Sequence, residues 1–167
     1  MVLFAIALLF FANYGYGLAH ELAHAVVINT LGGHVSGIYV NALGTDAYTE
    51  HTAITGTSDL VLVNVAGLCA TTVLALLFAA FNQGLIAGFL AVRSAIYAIN
   101  YTPGTDIFTI HAVAGSLSII VSTAIVAINL ACIYAIIKDN RAPMMSIRRL
   151  TAGLSSSLSR ARPARNS

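Results

Sequence analysis

Charge is scarce in this chain. Only 8% of the 167 residues are Asp, Glu, Lys or Arg, against about 25% in a soluble domain. Hydrophobic residues make up 58% and the mean hydropathy is +0.85. That balance argues against an ordinary water-soluble fold and implies a unit embedded in a membrane. The length suffices for about four spans of ~20 residues each, and no second soluble domain is expected. Cysteine is also sparse. Cys69 and Cys132 each sit inside an apolar run, and without a C-x-x-C pair they read as small core residues. The opening MVLFAIALLFFAN has no basic n-region and no small-x-small cleavage site. It is therefore expected to be the first half of a retained helix and not a signal peptide. No internal repeat is evident.

The few charges are unevenly placed. Seven of the eight cations lie from Lys138 onward, the exception being Arg93, and five of the six acids precede that tail. Short Lys/Arg-rich tails tend to stay cytoplasmic and can attract anionic lipid. Nucleic-acid binding is not expected, because an Arg- and Ser-rich tail is not specific for it.

The pattern along the chain predicts an all-α membrane protein of about four transmembrane helices, with a short membrane-associated β-hairpin after the first. The spans are expected at 2–31, 60–81, 85–101 and 108–137. Gly32-Gly33 closes the first of them. Between 34 and 57, Thr, Val, Tyr and Ile become frequent around the turn Leu43-Gly44-Thr45-Asp46. This predicts strands at 34–41 and 47–54, the alternative being an irregular polar loop. Pro103 breaks the backbone after the third span. Residues 1–137 form the expected membrane domain. Residues 138–167 form a basic tail, expected to be disordered or to lie on the membrane surface.

Three ionisable groups interrupt the first span, in the pattern His20-Glu21-Leu22-Ala23-His24. Residues i and i+4 share a helix face, so both imidazoles can serve one metal ion. Glu21 borders that face and is placed to take a proton from a water activated by the metal. A polar cluster joining helices is the alternative, but ionisable groups inside a span are costly and usually functional. A catalytic zinc site needs a third protein ligand. The metzincin continuation fails, because its glycine and histidine would fall at Val27 and Thr30. Counting faces through the spans brings the Pro103-Gly104 loop to the side of the motif. Asp106, the only acid between Asp59 and Asp139, is the expected third ligand, with His111 nearby and Glu50, His34 and His51 as weaker alternatives. A turn or cap role for Asp106 is the simpler reading of T-P-G-T-D.

His20-Glu21-x-x-His24, followed two spans later by Asn100-x-x-Pro103-x-x-Asp106, resembles the site-2 protease family of intramembrane zinc metalloproteases. Ala66-Gly67 in VNVAGL is similar to that family's A-G-P segment, and a hairpin after the H-E-x-x-H helix is a family feature. The resemblance covers about residues 15–115. It implies Zn²⁺ held by His20, His24 and Asp106, Glu21 as general base, and a second role for Asn100 toward the substrate backbone or the oxyanion. Two departures stand out. The family's L-D-G is Thr105-Asp106-Ile107 here, and the proline of A-G-P is Leu68.

Other residues admit plain roles. Asn100 reads equally as a helix-end residue, and Arg93, on the same helix face, as a snorkelling or ion-paired cation with a role in the cavity as the alternative. Gly15, Gly17 and Gly67 would let helices pack closely, and Tyr14, Tyr16 and Tyr101 would anchor at the interface. The expected activity is a zinc metalloendopeptidase acting on a membrane protein or peptide within the lipid bilayer. The expected location is the cell membrane, as a multi-pass protein. The alternative is a catalytically inactive metal-binding or regulatory protein of the same fold. Oligomeric state has no signal in the sequence.

Overall fold

The computed structural model describes residues 2–160, and the side chains of 3–4 and 6–139. The chain is mostly helical, with one small antiparallel sheet. Its order is α1 (Val2–Thr30), β1 (Val35–Val40), β2 (Ala47–His51), α2 (Thr57–Ala80), α3 (Gly84–Ala98), α4 (Asp106–Ala114) and α5 (Leu117–Arg160).

The first helix runs as the apolar pattern predicts and stops where glycine permits. Gly32 takes φ +82°. Its N–H donates to the Asn29 carbonyl, and that of Gly33 to the Ile28 carbonyl at 2.9 Å. This pairing is the Schellman closure, which satisfies two carbonyls that the helix end would leave free. Asn82, at φ +58°, ends α2 in the same way, with the Gln83 N–H on the Phe78 carbonyl at 2.8 Å.

The expected hairpin forms. Tyr39 opposes Tyr48 and Val40 opposes Ala47, with an irregularity between Val35 and Gly37. The two tyrosine rings stack at 5.1 Å. The hairpin lies against α1, where Gly17 lets the strands approach. A Cβ there would meet Val40 at 3.3 Å and Ala47 at 3.6 Å. Helix α2 is central, packing against α1, α3 and α4. Leu68, Ala98, Ile107, Ile110 and Ile125 form a buried cluster joining α2 to α5.

Four spans are not what the helices support. Among the described residues, two helices are long and apolar enough to cross a membrane: α2 and the segment Leu117–Asp139 of α5. Helix α3 has 15 residues, about 22 Å of rise against a hydrocarbon core of about 30 Å. The span expected at 108–137 is two helices, because Gly115 turns the backbone to φ +53° and its N–H closes onto the His111 carbonyl. Helix α5 continues to Arg160, and residues 161–167 lie outside the described residues. The functional groups described below all fall within the compact unit that ends at Ile133, and the remainder of α5 belongs to a second unit.

Candidate metal centre

The motif helix delivers its three groups as the i, i+4 spacing requires. His20, Glu21 and His24 are all buried, and their ligand atoms lie within 4.8 Å of one another. The imidazoles meet edge to face, with ring centroids 4.7 Å apart.

Asp106 reaches them from α4. Beyond α3 the chain turns through Pro103 and Gly104, the latter at φ +91°. Thr105 then caps α4, its hydroxyl accepting from the Phe108 N–H and donating to the Asn100 carbonyl at 2.5 Å. This cap fixes Asp106 as the first residue of the helix, where the positive end of the dipole favours a carboxylate. Asp106 is itself buried. Its Oδ2 lies 2.9 Å from His20 Nε2 and its Oδ1 lies 3.5 Å from His24 Nε2.

Three observations test whether these groups suit a metal ion. Two atoms each 2.0–2.1 Å from a tetrahedral ion lie about 3.3 Å apart, and the two His–Asp distances bracket that value. The closer pair is nevertheless not a directed hydrogen bond, since Asp106 Oδ2 has no hydrogen-bond partner although buried. An unpaired buried carboxylate oxygen is costly unless another partner satisfies it. His24 Nδ1 lies 2.7 Å from the Val63 carbonyl. A carbonyl only accepts, so Nδ1 carries a proton, and a neutral ring so held keeps its lone pair on Nε2, the form that ligates metal. His20 Nδ1 is buried without such a partner. The ring is instead held by aromatic neighbours, Tyr16 stacked at 6.1 Å and Tyr97 at 5.4 Å.

Gly67 completes the cradle. A Cβ at this position in α2 would sit 2.6 Å from His20 Cε1 and 2.7 Å from Nε2 of both His20 and His24. Its role is therefore not only helix packing but room for the Nε2 atoms of both histidines. The group fits a cation with one carboxylate and two imidazoles, and Glu21 stands beside it. A cavity of about 290 Å³ opens on these residues, walled also by Thr49 and His51 from β2 and by Asn64 from α2.

Other expectations resolve differently. Asn100 does not turn toward the cavity. Its side-chain oxygen accepts from the Thr102 N–H at 3.2 Å and from the Thr102 hydroxyl at 2.5 Å, so its helix-end reading is the one the geometry supports. His111 lies apart, 3.2 Å from the Ser118 hydroxyl and packed on Tyr101. Glu50 and His34 are exposed on the hairpin, while His51 lines the cavity. Tyr16 is not an interfacial anchor but a buried residue, 2% exposed, lying under the Arg93 guanidinium at 4.3 Å. Among the described residues Arg93 pairs with no acid; it donates to the Gly44 carbonyl at 2.6 Å and to that of Asn13 at 3.4 Å. Thr49 had no signal in the sequence. Its hydroxyl lies 2.9 Å from Glu21 Oε2 and 3.1 Å from the Glu21 carbonyl.

Comparison with protein-family models, with curated proteins and with solved structures finds no match for this chain.

Proposed function

We propose that this chain is an intramembrane zinc metalloendopeptidase, embedded in the membrane as a multi-pass protein and cutting membrane-associated peptides. One observation carries the reading. Two imidazole Nε2 atoms and a carboxylate from a distant helix converge against Gly67, with a buried glutamate next to them. His20, His24 and Asp106 would hold the ion. Two histidines and a carboxylate are a ligand set of catalytic zinc, and zinc when bound would supply Lewis-acid polarisation of a carbonyl and a lowered pKa for water.

The chain's own residues do the rest. Glu21 accepts the proton of the attacking water and hands it to the leaving amine. The cavity walled by β2 admits a peptide, and burial of the site raises the value of each electrostatic contact. A helical substrate hides its carbonyls in hydrogen bonds, so it must unwind before attack. The hairpin offers a strand edge on which the unwound segment is held. Proline substitutions along that edge slow cleavage and leave zinc in place; cleavage at the normal rate would remove strand addition from the reading.

The rival, a metal-binding protein without activity, makes Glu21 a further ligand, since its carboxylate lies with both imidazoles within 4.8 Å; the proposed reading makes it the base, and the Glu21→Gln variant separates the two. The test is zinc per chain in detergent-purified protein, wild type beside His20→Ala and Asp106→Ala, followed by cleavage of a membrane peptide by Glu21→Gln. About one zinc in wild type, weakened in both ligand variants, is the expected result. Wild-type protein that takes up no zinc even when supplied would end the reading.

A further inference from the structure

We propose that the hairpin is a positioning arm for Glu21: the Thr49 hydroxyl on β2 orients the carboxylate, and Arg93 on α3 fixes the arm by holding the hairpin loop at Gly44. The inference rests on the reading of Glu21 as general base.

The contact at the tip of the arm is specific. A threonine hydroxyl has one proton to donate, and Thr49 Oγ1 lies within reach of two acceptors on the same residue, Oε2 at 2.9 Å and the backbone carbonyl at 3.1 Å. The proton goes to one of them or is shared, and the shorter contact is the one to the carboxylate oxygen Oε2. That restricts the rotation of the carboxylate and leaves Oε1 for a water. Burying a carboxylate without a donor is costly, and the Thr49 hydroxyl is the donor that stands against Oε2.

The root of the arm is equally defined. Gly44 sits at φ +66°, and a Cβ there would lie 2.6 Å from the Asn13 carbonyl oxygen. Asn13 Nδ2 donates to the Leu43 carbonyl at 2.5 Å. The Arg93 guanidinium spans the seam, donating to Gly44 and Asn13 while resting on the Tyr16 ring. Lysine could not replace it, because its compact ammonium lacks the planar fork that serves two carbonyls and an aromatic face together.

The test needs the full chain loaded with zinc. Glutamate occurs only at positions 21 and 50, so isotope-labelled glutamate gives two infrared carboxylate bands, and Glu21→Gln assigns them. Thr49→Val is expected to shift the Glu21 band and lower kcat about tenfold, with KM and zinc content unchanged. Thr49→Ser should restore both within about twofold, and Arg93→Gln should shift the same band in the same direction. Thr49→Ala stands in if the valine variant does not fold. An unshifted band in the variants lacking the hydroxyl, loss of zinc in them, or a serine variant as impaired as the valine one would overturn the proposal. Should wild type cleave nothing, the general-base reading falls while the band still reports whether Thr49 holds Glu21.

Discussion

Gly67 and His20 stand so close that a single methyl group on the glycine would lie 2.6 Å from the imidazole Cε1. The contact is with a ring, not with the free end of a flexible chain, and α2 is held on three sides. Gly67→Ala should therefore displace both histidines and weaken zinc binding at least tenfold. It should do so although alanine is the better helix former by about 1 kcal/mol, so helix content by circular dichroism is retained while metal is lost. Full zinc occupancy in this variant would place the ion elsewhere.

Asp106→Asn keeps the shape of the carboxylate and removes its charge. With His20 Nε2 at 2.9 Å and His24 Nε2 at 3.5 Å, the expected loss of zinc affinity is about 100-fold or more, beyond the 10–100-fold typical of outer-shell changes. His111→Ala should leave affinity within about twofold, because His111 faces Ser118 and Tyr101. Competition with a fluorescent chelator measures both.

Glu21→Gln should bind zinc like wild type and lose cleavage by about 10²–10⁴-fold, the usual contribution of a positioned base. Asn100→Ala should behave in the opposite way. Its side chain is engaged by Thr102, so cleavage should change less than about threefold while stability falls by about 1 kcal/mol. A loss of kcat in Asn100→Ala at unchanged stability would return that residue to the reaction.

Chelation should lower the thermal midpoint of the purified protein, and zinc should restore it. Ligand that binds only the folded state stabilises by about 2.7 kcal/mol at 100 times its Kd. The restoring effect should grow with zinc concentration in wild type and vanish in His20→Ala.

Much of this arrangement was legible because it follows from local rules. The i, i+4 spacing placed His20 and His24 together, Gly32-Gly33 closed α1, and the β-rich stretch with its Leu-Gly-Thr-Asp turn became the hairpin. Asp106 followed from counting faces, and its proximity holds even though the helices do not support four spans. A break at Gly115 was hidden, because apolar residues on both sides read as one continuous segment. At Asn100 the sequence left two roles open, because an amide beside a turn is as readily consumed by a neighbouring hydroxyl as left free. Thr49 was illegible as a site neighbour, since nothing in a threonine on a strand reports which helix it will touch. Such contacts exist only once the hairpin has been laid against α1.

The order of the ligands along the chain carries one more consequence. The imidazoles belong to α1 and the carboxylate to α4, with α2 and its Gly67 wall made in between. A ribosome therefore releases the two histidines long before their partner exists. While only α1 to α3 have emerged, the nascent chain has a glutamate and half a binding site but not the aspartate that completes it. On the proposed reading, hydrolytic capacity arrives late in biogenesis, after the hairpin and the central helix are already synthesised, and a chain arrested before Asp106 is born harmless.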